Sequence, residues 1–124
     1  MNSPVILVVE DEPILGLELK EDLEALGYEV PEVVPDGDLV LAAVIRYHPS
    51  LIVMDIKLYG FRDGIEAVLQ VRGFYEIPIV YLSSFPVKEV EQRIRRTAPV
   101  AYIEKPYDPA KLKDVIAGAL ATRN

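Results

Sequence analysis

Glu10-Asp11-Glu12, Asp55, Ser83-Ser84 and Glu104-Lys105-Pro106 each stand directly after a short apolar run. Each also has a purely structural reading. Acids ahead of Pro13 face the positive end of a following helix, an aspartate after a strand shapes a turn, and a serine caps a helix. Their common position says more. If the runs are parallel strands of one sheet, their carboxyl ends converge. Glu10, Asp11 and Asp55 then share one small pocket with the Ser83 hydroxyl and the Lys105 ammonium. Carboxylates a few ångströms apart repel and call for a cation or a proton between them. A hard divalent cation with oxygen ligands answers them, and Mg2+ suits a site of few carboxylates and bound phosphate oxygens. Lys105 is then a counter-charge to an anion, and a carboxylate beside the metal can accept a phosphoryl group as an aspartyl phosphate.

The elements that must position these groups follow from the hydrophobic pattern. Residues 5–9 form a continuous apolar run that suits a strand buried on both faces, and 51–54, 79–82 and 100–103 read the same way. Residues 28–34 make a weaker strand, whose polar residues and Pro31 suit a sheet edge. Helix patterns lie between. Leu15, Leu19, Leu23 and Leu26 fall on one helical face that Gly27 terminates. Asp36-Gly37-Asp38 caps a helix through Tyr47 that stops near Pro49, and residues 65–71 form a short helix. Val87, Val90 and Ile94 form a stripe on an otherwise charged helix, which Ser83 or Ser84 would cap in the purely structural reading. Asp108-Pro109 starts a helix with Leu112, Val115, Ile116, Ala119 and Leu120 on its apolar face. Five strands alternating with five helices predict an α/β domain whose parallel sheet is covered on both sides. Ligands of such sheets sit beyond the carboxyl ends of the strands.

Composition narrows the chemistry. The chain has 124 residues, long enough for one domain with a real core. It has no cysteine and a single histidine, which excludes thiol catalysis, thiolate metal sites and multi-histidine zinc sites. Its 13 basic and 20 acidic side chains leave a net charge of −7, against direct nucleic acid binding by this domain. No run is long enough to span a membrane, and Met1-Asn2-Ser3-Pro4 lacks the lead-in of a signal peptide, so a cytoplasmic protein is expected. Only Ala121-Thr122-Arg123-Asn124 follow Leu120, so the expectation is one domain over 1–124 with no output domain in this chain.

Val8-Val9-Glu10-Asp11-Glu12-Pro13, Leu51-Ile52-Val53-Met54-Asp55, Asp63-Gly64-Ile65-Glu66-Ala67, Ile77-Pro78-Ile79-Val80-Tyr81-Leu82-Ser83-Ser84 and Tyr102-Ile103-Glu104-Lys105-Pro106-Tyr107 occur in this order with compatible spacing. Together they make the chain resemble the receiver domain of two-component response regulators, of the single-domain chemotaxis-regulator kind. The resemblance implies a doubly wound (βα)5 flavodoxin-like fold with a five-stranded parallel sheet of order 2-1-3-4-5. It implies that Asp55 is the phosphoacceptor and that Glu10 and Asp11 hold Mg2+ with Asp55 and the Lys57 carbonyl. Ser83 and Lys105 correspond to the hydroxyl and cation that meet the phosphoryl group. Tyr102 corresponds to an aromatic switch that moves inward with Ser83, and the Lys105-Pro106 bond is expected to be cis.

By the same resemblance the phosphoryl group comes from a sensor histidine kinase or phosphotransfer protein. A downstream target reads the face made by the fourth helix, fifth strand and fifth helix, where a homodimer also fits. Such a module is no enzyme beyond its own phosphorylation and dephosphorylation. Three positions depart from the family pattern. Glu10 stands where aspartate is common, and Ser84 where alanine or glycine is usual. The loop 57–63, with Tyr59 in place of the usual Met-Pro-Gly turn, looks one residue longer. The competing function is a receiver-like interaction domain acting without phosphorylation. A flavodoxin-type phosphate site is disfavoured by Glu10-Asp11-Glu12, the wrong sign for a phosphate, and a haloacid-dehalogenase-type phosphatase by Lys57 where a second carboxylate is required. His48 is expected at the surface, and Arg93, Arg95 and Arg96 on a solvated helix face partly paired with Glu89 and Glu91.

Overall fold

The computed structural model describes residues 3–122. Met1, Asn2, Arg123 and Asn124, on which the readings of the two chain ends partly rest, lie outside the described residues. Strands and helices alternate as β1 (Ile6–Val9), α1 (Pro13–Ala25), β2 (Val33–Val34), α2 (Val40–Tyr47), β3 (Leu51–Met54), α3 (Gly64–Arg72), β4 (Ile79–Ser83), α4 (Val87–Arg95), β5 (Ala101–Glu104) and α5 (Pro109–Ala121). A 3-10 turn over Gly37–Leu39 leads into α2. The strands form one parallel sheet of order β2-β1-β3-β4-β5, the doubly wound arrangement expected.

Every residue of β1, β3 and β4 is buried, which explains why these runs are apolar throughout. Side chains alternate along a strand. Leu7, Val9, Ile52, Met54 and Tyr81 therefore pack in one core with Val44 of α2, Val68 of α3 and Ile94 of α4. Ile6, Val8, Val53, Val80 and Leu82 pack in the other with Leu19 and Leu23 of α1 and Leu112 and Ile116 of α5. Local signals start the helices: Pro13 opens α1, and Asp63 and Glu66 form a reciprocal capping box on α3. Asp108 accepts from the Ala110 amide at 3.0 Å to cap α5.

Four local expectations are corrected. Leu26 is not on the buried face of α1, because the helix ends at Ala25 and Gly27 turns left-handed (φ 97°), leaving Leu26 41% exposed. The edge strand shrinks to Val33–Val34. Val5 bridges Glu29 while Val8 pairs with Val33, so one extra residue bulges around Pro31, which has no amide to donate. Val100 precedes β5 and is exposed, and β5 is not buried on both faces: it lies at the sheet edge with only Ile103 fully covered. Neither Ser83 nor Ser84 caps α4, whose N-cap position is Pro86.

The sheet delivers the candidate site by register. Val9 pairs with Met54, so Glu10 and Asp55 leave adjacent strands side by side, and the Asp55 amide still bonds the Val9 carbonyl at 2.9 Å. Ser83 pairs with Glu104, and the Lys105 amide bonds the Ser83 carbonyl at 2.8 Å. Gly64 is buried where α3 starts, and a Cβ there would strike the Asp55 carbonyl oxygen. Gly64→Ala is therefore expected to destabilise the fold by about 1–3 kcal/mol in urea unfolding. An unchanged midpoint would show that this approach is not tight.

Candidate functional site

Glu10, Asp11 and Asp55 each offer a carboxylate oxygen, and these atoms lie within 4.8 Å of one another. Glu10 and Asp55 are buried, and Asp11 is half-buried. Lys105 reaches into the group, its Nζ 2.9 Å from Glu10 Oε1 and 3.2 Å from Asp55 Oδ2. The second oxygens of Asp55 and Glu10 are also held: Asp55 Oδ1 accepts from the Ile56 amide at 2.7 Å, and Glu10 Oε2 from the Glu12 amide at 3.1 Å. The Lys105-Pro106 peptide bond is cis, as expected.

The electrostatics follow from burial. Desolvation pushes the Glu10 carboxyl up from 4.5 to about 7; Lys105 and the Glu12 amide oppose it, and the nearby Asp55 adds to it. Asp55 is likewise raised by burial, which outweighs its Glu10, Lys105 and Ile56 contacts. Burial works against the charge on Lys105, but the Glu10 and Asp55 carboxylates outweigh it and hold the ammonium above its ordinary range. One ammonium thus faces three carboxylates. The donor set is all hard oxygen, which fits Mg2+ better than a softer metal.

Ser83 is fully buried, and its Oγ accepts from the Phe85 amide at 3.1 Å. Tyr102 is half-buried, with its ring centroid 6.0 Å from that of Tyr81, and its hydroxyl donates to the Phe85 carbonyl at 2.7 Å. The two residues expected to form a switch therefore hold opposite ends of one residue, Phe85. Sequence reasoning missed that link, since its partner atoms are backbone and carry no residue-type signal. Ser84 is exposed.

Lys57 sits in the loop from β3 to α3 with its side chain exposed. Before it, the Ile56 carbonyl accepts from the Gly64 amide at 2.7 Å. After it, the Tyr59 amide bonds the Pro35 carbonyl at 3.1 Å, and the Gly37 amide bonds the Tyr59 carbonyl at 2.9 Å. Arg62 pairs with Asp38 at 3.0 Å. Asp36 does cap the 3-10 turn, as its sequence position suggested, but Asp38 is committed to the loop. Arg93 pairs with Asp63 at 2.7 Å rather than with Glu89, while Arg95 meets Glu91 at 3.9 Å. His48 is exposed at the end of α2. No described helix is long and apolar enough to cross a membrane.

The sequence model of the response regulator receiver domain matches residues 6–117. The chain belongs to that family. This receiver domain is 31% identical over 94% of its length to the transcriptional regulatory protein PdtaR of Mycobacterium tuberculosis, and spans 56% of that protein. It is 34% identical to the polar-differentiation response regulator DivK of Brucella ovis, covering 93% of this chain and 94% of DivK. Among solved structures it is similar to the receiver domain of the sensor histidine kinase PA1611 of Pseudomonas aeruginosa, described with a magnesium ion coordinated in its active-site cleft. There the TM-score is 0.87 at 25% identity, over 97% of this chain and 99% of that one.

The raised Glu10 carboxyl sets a pH dependence for this receiver domain. The folded form keeps a proton that the unfolded chain releases near 4.5. The stability that proton confers is complete below that pH and is lost as the pH rises through about 7. In chelator, the urea midpoint is expected to be higher at about pH 5.5 than at about pH 8, with the difference shrinking in Glu10→Gln. A wild-type midpoint equal or higher at the alkaline pH would contradict this assignment.

Proposed function

We propose that this receiver domain is the phosphoacceptor switch of a two-component phosphorelay, taking its phosphoryl group onto Asp55. The observation that carries the reading is Lys105 lying between the buried carboxylates of Glu10 and Asp55, with Asp11 beside them. A pocket built only for stability has no use for a third carboxylate within 4.8 Å of two others. Glu10, Asp11, Asp55 and the Lys57 carbonyl would hold Mg2+, consistent with the magnesium described in the related PA1611 domain. When bound, the ion supplies positive charge against the phosphoryl oxygens.

Lys105 favours the charged form of Asp55 against the larger effect of burial, and a carboxylate oxygen of Asp55 is the nucleophile. That oxygen forms a bond to phosphorus as the phosphorus–nitrogen bond of a phosphohistidine breaks, or the phosphorus–oxygen bond of a small phosphodonor. The departing group takes the bonding electron pair; a histidine nitrogen picks up a proton from water, whereas the carboxylate of an acyl phosphate donor leaves as the anion. Little covalent chemistry is left to the protein, so catalysis is positioning and charge. In the product, Lys105 exchanges its Asp55 contact for a phosphoryl oxygen. The Ser83 hydroxyl turns from the Phe85 amide to the same group. Phe85 is then released at its amide while Tyr102 still holds its carbonyl, so the loop after β4 repacks with Tyr102. The readout is the face of α4, β5 and α5, which serves a downstream target or a second copy. The donor is a sensor histidine kinase or phosphotransfer protein.

With acetyl phosphate as donor, the protein is expected to gain one phosphoryl mass only when magnesium is present, and Asp55→Asn to gain none. Lys105→Ala is expected to label on the order of 10²-fold more slowly. A wild type that stays unlabelled would favour the phosphorylation-independent interaction domain instead.

A further inference from the structure

Asp38 lies outside the carboxylate pocket, yet its side chain is spent on the loop that borders it. Asp38 Oδ2 accepts from the Phe61 amide at 2.8 Å, and Oδ1 accepts from the Arg62 amide at 3.2 Å and Arg62 Nη1 at 3.0 Å. Asp38 does not cap α2, whose N-cap residue Leu39 makes no side-chain cap bond. Asp36 Oδ1 accepts from the Asp38 amide at 2.8 Å and so fixes the backbone that presents Asp38. The two segments interlock closely. Gly60 adopts a left-handed backbone (φ 89°), and a Cβ there would strike Asp36 Oδ1; a Cβ on Gly37 would strike the Arg62 carbonyl. The Phe61 amide and Arg62 hold Asp38 below the ordinary carboxylate range.

We infer that Asp38 is a positioning residue for the metal site, fixing the loop that carries the Lys57 carbonyl. Lys57 lies between two anchors, the Gly64 amide on the Ile56 carbonyl and the Tyr59 amide on the Pro35 carbonyl. The first follows from the start of α3. The second lies next to the Asp36 to Asp38 turn and is braced by Asp38 holding residues 61 and 62. A loop whose backbone carbonyl is to serve as a ligand gains from such a second anchor, because each unanchored residue widens the set of positions that carbonyl explores. Groups that orient a metal ligand without touching the metal commonly change metal affinity by about 10- to 100-fold.

The inference rests on the magnesium reading of the pocket, and calorimetric titration of MgCl2 into metal-free wild type, Asp38→Ala and Asp38→Asn tests the two separately. The expected result is a Kd raised about tenfold in Asp38→Ala. Asp38→Asn, which keeps one acceptor oxygen, should show a smaller rise, and it carries the test if the alanine variant does not fold. Melting in chelator is read alongside, because a bond serving stability alone would lower that Tm and leave the Kd unmoved. Wild-type Kd values in the folded variants would overturn the role of Asp38. Absence of magnesium binding by the wild type would instead overturn the reading of the pocket.

Discussion

The pocket at the ends of β1 and β3 holds more negative charge than its own cation can answer. Glu10 and Asp55 have lost nearly all their water, and Lys105 is shared between them, with Asp11 close by. A lone ammonium in such a site balances one carboxylate. The rest must be met by a proton, by another cation, or by retained solvent. Glu10 registers the imbalance, since its carboxyl holds a proton to near neutrality. In the proposed chemistry a metal relieves this imbalance, and the incoming phosphoryl group, itself anionic, is met by that added positive charge and by Lys105.

The surrounding structure keeps the charges from moving apart. The sheet ladder runs on past the strands through the Asp55 and Lys105 amides, so the acid and its cation are fixed by backbone register rather than by flexible side chains alone. Gly64 packs against the Asp55 backbone on one side. The Asp36 to Asp38 turn grips the β3–α3 loop on the other. Phe85 then joins this rigid floor to the outer surface, because its amide is held by Ser83 and its carbonyl by Tyr102. In the proposed switch, a change of partner at Ser83 would reach the half-buried ring of Tyr102 through Phe85.

The sheet was legible because the three inner strands come from continuous apolar runs, and such runs separated by amphipathic segments admit few architectures. The site was legible because strand ends in a parallel sheet converge, which placed Glu10, Asp11, Asp55 and Lys105 together before any contact was known. What escaped was carried by backbone or by exceptional geometry. Nothing in the residue types announces that Phe85 is held at both ends. The pairing of Asp38 with the Phe61 and Arg62 amides is equally silent, although two aspartates around Gly37, where one suffices for a cap, are a trace of it. The short β2 and the exposed Leu26 reflect local breaks, at Pro31 and Gly27, that periodicity alone smooths over.

The central claim is that unbalanced buried carboxylates make this pocket a divalent-cation site. Thermal unfolding with and without magnesium tests it most directly. At about ten times its Kd, magnesium should raise stability by about 1.4 kcal/mol, a Tm increase of a few degrees. The increase should vanish in Asp11→Ala. A wild-type Tm that does not move with magnesium would contradict the account.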